Sequence, residues 1–118
     1  MKSWGKHVIL DCAGCNFDKI NDADNIRKFL KELIARIDMV AHGEPQIEFL
    51  LPGTYNEGYS VLQMITTSNI TLHFVNQTRE GYIDVFSCKD FNIETVEDTV
   101  REFFVPASIK PAVLYRQA

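Results

Sequence analysis

The chain has 118 residues, 46% hydrophobic and 24% charged, the balance of one soluble globular domain around a single core. A formal net charge of −4 and an isoelectric point near 5.3 leave no basic field for nucleic acid or anionic lipid. No apolar run approaches the ~20 residues of a membrane helix, and residues 1–7 carry no apolar signal core, so a cytoplasmic location and a small-molecule or protein partner are expected.

Residues 7–12 form a short apolar run suited to a buried strand, broken by Ala13-Gly14. Asp22 or Asp24 then caps a helix in which Ile26, Phe29, Leu30, Leu33, Ile34, Ile37 and Val40 recur at helical spacing. Arg27, Lys28, Lys31, Glu32, Arg36 and Asp38 take its other side, and Gly43 followed by Pro45 is expected to end it. Residues 46–51 read as a second strand, and Pro52-Gly53 opens a polar loop reaching Gly58. Third and fourth strands at 59–65 and 70–75 flank the polar interruption Thr66-Thr67-Ser68-Asn69. A turn at 77–80 leads into an alternating strand at 81–88. Residues 94–104 give a second amphipathic helix ended by Pro106, and 109–115 return as an edge strand where Pro111 is tolerated. This order predicts one α+β domain over residues 1–118, a two-layer sandwich whose mainly antiparallel sheet carries two helices on one face.

Alternation turns Ile83 and Val85 toward the helices and puts Tyr82, Phe86 and Cys88 on the other face, with His73 beside them. Such a face is expected to meet another subunit or a ligand. Cys12 and Cys15 form a C-x-x-C, but only Cys88 and three scattered histidines could complete a metal site, so they read as buried thiols and no metal is expected. Trp4 and His7 read as packing residues, and Tyr115-Arg116 has no assignment. Singly, Ser68 reads as a turn residue, His73 as a strand histidine and Cys88 as a small hydrophobe.

Four landmarks in order change that reading: Trp4-Gly5-Lys6-His7, Gly58-Tyr59-Ser60, Thr67-Ser68-Asn69-Ile70-Thr71-Leu72-His73, and Asp84-Val85-Phe86-Ser87-Cys88. With them the chain resembles the prokaryotic S-adenosylmethionine decarboxylase proenzymes over nearly its whole length, with a small loop insertion between Pro52 and Ser60. In that family a serine stands five residues before a histidine, twenty before a cysteine, and eight after a second serine; Ser68, His73, Cys88 and Ser60 keep those spacings.

The resemblance implies self-cleavage between Thr67 and Ser68. The Ser68 hydroxyl attacks the Thr67 carbonyl carbon, Ser60 supports that processing step, and His73 removes the Ser68 α-proton. The product is a covalent pyruvoyl cofactor at the head of residues 68–118, whose ketone forms a Schiff base with the substrate amine. Cys88 is implied as the proton donor in decarboxylation. The implied substrate is S-adenosylmethionine, whose product feeds spermidine-type polyamine synthesis; Phe49, Tyr59, Tyr82 and Phe86 are candidates for facing its sulfonium. A homodimer or higher homo-oligomer with active sites near the subunit boundary is expected.

The chain departs from the family at Thr67, where relatives usually carry Glu, at Asn69, where many carry His, and at Phe74-Val75-Asn76-Gln77, where many carry Thr-Trp-Pro-Glu. Two other functions therefore stay open: a pyruvoyl-dependent decarboxylase of a basic amino acid such as arginine or ornithine, and a non-catalytic interaction domain of the same fold.

Overall fold

Capping and periodicity set the helices. The Asp22 carboxylate accepts from the backbone N–H groups of Asp24 and Asn25 at 3.0 and 3.2 Å, opening helix α2 (Ala23–Arg36), whose Ile26, Phe29, Leu30, Leu33 and Ile34 are buried. The Asn92 side chain does the same for Glu94 and Thr95, opening α3 (Ile93–Phe104), which buries Val96, Thr99, Val100 and Phe104. The computed structural model describes all of residues 1–118 and joins these helices to a short α1 (Phe17–Ile20) and six strands: β1 (Gly5–Ala13), β2 (Gln46–Leu50), β3 (Gly58–Ile65), β4 (Ser68–Val75), β5 (Glu80–Ser87) and β6 (Ser108–Arg116).

The strands form one sheet in the order β2-β3-β4-β5-β1-β6, every neighbouring pair antiparallel. Alternate side chains of the four inner strands meet the helices: Val8, Leu10 and Cys12; Val61 and Ile65; Ile70, Leu72 and Phe74; Ile83 and Val85. Phe104 links the layers, its ring 4.7 Å from Phe29 and 4.9 Å from Phe74. Each such side chain contributes about 1.5–3 kcal/mol by leaving water. Gly58 is fixed by close approach, since a Cβ there would lie 2.0 Å from the Phe74 carbonyl oxygen. This is the expected two-layer α+β sandwich. No helix is long and apolar enough to cross a membrane.

Two local expectations need correction. A one-turn helix, α1, precedes α2: the Asn16 side chain caps it at Lys19 N–H, 3.2 Å away, and Ile20 anchors it in the core. At its other end α2 stops at Arg36 rather than running to Val40. Asp38 takes φ 57°, and the N–H groups of Asp38 and Met39 close back on the carbonyls of Ala35 and Ile34 at 3.1 and 2.9 Å, a Schellman cap with aspartate in glycine's usual place. Ile37 and Met39 remain buried beyond the helix, whereas Val40 is exposed.

The helices leave the other sheet face open. Leu62, Met64 and Leu114 stand on it at 52, 61 and 50% exposure, among Ser60, Thr71, His73, Tyr82, Asp84 and Phe86.

Candidate active site

The Thr67-Ser68 peptide lies where a tight hairpin turn delivers the chain into β4, with Ile65 opposite Ser68 across the turn. Two-residue hairpin loops favour positive φ at their central residues, which β-branched Thr66 and Thr67 supply poorly. Neither adopts it; Ser68 does, at φ 156°. A side-chain-bearing residue held there stores strain of about 1–3 kcal/mol.

Neighbouring segments fix this peptide. The Cys88 backbone N–H donates to the Thr67 carbonyl oxygen at 2.9 Å. A relay runs beside it: Lys89 N–H donates to Ser87 Oγ (3.0 Å), the fully buried Ser87 hydroxyl donates to Thr67 Oγ1 (2.8 Å), and the Thr67 hydroxyl donates to Met39 Sδ (3.3 Å). The segment after α2 closes the turn from outside, with Thr66 N–H donating to the Val40 carbonyl at 2.9 Å. Lys89 Nζ holds that segment through the Asp38 carbonyl (2.6 Å) and carboxylate (2.8 Å), and this contact draws the Asp38 carboxyl below its ordinary pKa. The Cys88 thiol is exposed, while Cys12 and Cys15 are buried free thiols that desolvation pushes up to about 12 and about 11.

His73 and Ser60 form a second group on the open face. They are opposed across β3 and β4, with His73 Nδ1 3.0 Å from Ser60 Oγ. Glu48 lies opposite Ser60 on β2, and Tyr82 opposite His73 on β5, so one row crosses four strands. A cavity of about 200 Å³ opens beside Ser60 and His73.

The structure thus pairs Ser60 with His73 and Thr67-Ser68 with Cys88, but does not bring the two pairs together. Ser68 and His73 are five residues apart on β4, which at ~3.3 Å per residue separates them by roughly 16 Å, and the odd offset turns their side chains to opposite faces.

The aromatic candidates also divide. Tyr82 and Phe86 share the open face with His73, whereas Phe49 and Tyr59, packed edge to face at 5.2 Å, follow the helix-side parity of Val61. Around Phe86 stand Trp4 (centroids 5.9 Å), His7 (5.7 Å) and the Arg116 guanidinium (4.9 Å). Trp4, expected as a packing residue, is 56% exposed and lines a cavity of about 560 Å³ with Phe86 and Arg116. His7 hydrogen-bonds Asp84 at 3.0 Å. Sequence reasoning missed Ser87, Lys89, Met39 and Arg116. For Ser87 a signal existed, a hydroxyl residue directly before Cys88; for Met39 and Lys89 none did.

A strained hairpin peptide ending on a serine, with a thiol at the same end and an imidazole further along the strand, puts residue types suited to acyl and proton-transfer chemistry on one small α+β domain. The family model described as S-adenosylmethionine decarboxylase matches residues 6–117. The chain therefore belongs to the S-adenosylmethionine decarboxylase family. Similar relatives include the S-adenosylmethionine decarboxylase proenzymes of Clostridium botulinum strain Loch Maree, 29% identical over 113 residues and 93% of each chain, and of Bacillus velezensis, 28% identical over 102 residues, 86% of this chain and 77% of that one. The crystal structure of the adenosylmethionine decarboxylase from Aquifex aeolicus shares the fold at a TM-score of 0.84, with 21% identity over 100% of this chain and 94% of that one.

Proposed function

We propose that the chain cleaves itself between Thr67 and Ser68 and then decarboxylates S-adenosylmethionine as a homodimer. The observation that carries this reading is the Thr67-Ser68 peptide itself, with its carbonyl oxygen already hydrogen-bonded to Cys88 N–H and its serine held off ordinary backbone geometry. Attack of Ser68 Oγ on the Thr67 carbon places negative charge on that oxygen, where a preset donor acts most strongly. The C–N bond breaks as the amide nitrogen takes the hydroxyl proton, leaving Thr67 esterified to Ser68. Loss of the Ser68 α-proton to an imidazole then expels the Thr67 carboxylate. Water replaces the amine, ammonia leaves, and a pyruvoyl group heads residues 68–118. The serine, its preceding carbonyl and the donor are the parts this conversion requires, so the residues present fit the group.

Since His73 lies roughly 16 Å from Ser68 within one chain, the α-proton goes to His73 of the partner subunit, with Ser60 orienting the ring through the 3.0 Å contact to Nδ1. A two-fold axis crossing the open sheet face near the middle of β4 makes the exchange reciprocal, giving two equal sites. The exposed Leu62, Met64 and Leu114 give that face the apolar area an interface needs.

The pyruvoyl group supplies an electron-accepting ketone for the loss of carbon dioxide. The exposed Cys88 thiol would donate a proton to the carbon from which carbon dioxide has left. Phe86 and Tyr82 offer ring faces to a cationic substrate. The alternative substrate is a basic amino acid such as arginine or ornithine, because Thr67, where relatives usually carry Glu, turns its hydroxyl to Ser87 and Met39 and so changes the contacts that position offers a substrate.

Denaturing electrophoresis with mass spectrometry tests the reading. Purified protein is expected as fragments 1–67 and 68–118, the second blocked at its N-terminus by a ketone that carbonyl reagents trap. Ser68→Ala is expected to stay one chain, and two fragments from that variant would place the cleavage elsewhere.

A further inference from the structure

We infer that Glu48, in addition to the ring faces of Phe86 and Tyr82, contributes a carboxylate to binding a positive charge on the substrate's side chain and so selects for α-amino acids whose side chain carries a sulfonium, ammonium or guanidinium group. The inference rests on the pyruvoyl-dependent reading above and extends it to a residue that reading does not use.

Three observations point there. Glu48 stands directly opposite Ser60, which stands directly opposite His73, so its carboxylate belongs to the row that holds the imidazole. The cavity of about 200 Å³ beside that pair is lined by Glu48 together with Leu50, Leu62, Ser60 and His73, and Glu48 is its one carboxylate. Finally, Glu48, like Glu44, Glu57, Glu80 and Glu94, takes part in none of the chain's ion pairs, so no cation of the chain itself neutralises the one carboxylate of this cavity.

The dimensions suit such a ligand. Strands lie ~4.8 Å apart, so the backbones of Glu48 and His73 are about 10 Å apart, room for a side chain of a few carbons between the reacting carbon and a terminal cation. Leu50 and Leu62 supply apolar walls for its methylenes. When a partner sheet covers this face, water is excluded and the attraction between carboxylate and cation strengthens. The competing account is a solvated charge on an edge strand, which discourages pairing with other sheets. That account leaves substrate affinity independent of Glu48.

The test uses the full protein after cleavage has been verified by electrophoresis. Carbon dioxide release is measured for wild type with S-adenosylmethionine, L-arginine and L-ornithine, and the best of these is carried to Glu48→Gln and Glu48→Asp. The expected result for Glu48→Gln is a KM raised about tenfold with kcat within about twofold of wild type, because a charge-assisted contact made equally in ground and transition states is lost. Glu48→Asp is expected to recover part of the affinity, and added salt to raise the wild-type KM more than that of Glu48→Gln. A Glu48→Gln KM within twofold of wild type overturns the inference and leaves the decarboxylase reading standing. Wild-type protein that stays intact, or releases carbon dioxide from none of the three, overturns both. Should Glu48→Gln fail to fold, a wild-type KM insensitive to salt overturns the inference by itself.

Discussion

At its Ser68 end β4 is held by backbone donors and a relay of buried hydroxyls, whereas at its His73 end a single side-chain hydrogen bond orients an imidazole that faces open space. The first arrangement suits a bond that must be strained and polarised within one chain. The second suits a base that must serve a target brought to it. About 16 Å of extended strand separates the two, a distance no side-chain rotation spans. Under the proposed function, dividing the machinery this way would make one subunit insufficient and tie cleavage to assembly.

Substitutions at each end sharpen the contrast. The largest effect after Ser68→Ala is expected from Cys88→Ala, which keeps the backbone N–H that Thr67 uses and loses only the thiol. Cleavage should go to completion while kcat for decarboxylation falls by about 10²–10⁴, the usual worth of a positioned proton donor, read as carbon dioxide release per pyruvoyl group. Ser87→Ala removes a buried hydroxyl from the relay and is expected to slow cleavage about tenfold, followed as the half-time of fragment formation after synthesis. Ser87→Cys, which refills the volume with a much weaker hydrogen-bond donor, should stay slow, which a mere loss of packing volume would not explain.

A smaller effect distinguishes the thiols. Burial holds Cys12 and Cys15 protonated up to about 12 and about 11, so alkylation near pH 8 should label Cys88 alone in native protein and all three after denaturation. Raised folded-state values favour the neutral thiol. Their contribution to stability is therefore complete below the ordinary value of 9.0 and is lost as pH climbs from there toward about 12, which a falling melting temperature over that range would register.

Much of this organisation was legible in the chain. The start of α2 was legible to within the pair Asp22 and Asp24, of which Asp22 is the cap, because a cap acts within three residues, and the burial of Ile83 and Val85 follows from strict alternation. The end of α2 was not legible, because Asp38 adopts a glycine-like conformation with the help of Lys89, 51 residues away. The division of the aromatics between faces depended on register: only the pairing of Phe49 with Tyr59 and of Val61 with Ile47 turns those two rings to the helix side. At the site, spacing singled out Ser60, Ser68, His73 and Cys88 but could not place them in space. The odd interval between Ser68 and His73 became informative once both stood on one unbroken strand. The relay joins Ser87, whose place directly before Cys88 was a local signal, to Met39, distant in sequence and without any local pattern to find.

Complementation between two inactive chains tests the divided site most directly. Ser68→Ala and His73→Ala variants, distinguishably tagged, are expressed alone and together. Each alone should remain free of pyruvoyl-bearing fragments; together, the His73→Ala chain should be cleaved into 1–67 and 68–118, because its intact Ser68 meets the intact His73 of the partner subunit. Co-expressed chains that assemble with one another and both remain whole, under conditions where wild type is cleaved, would contradict it.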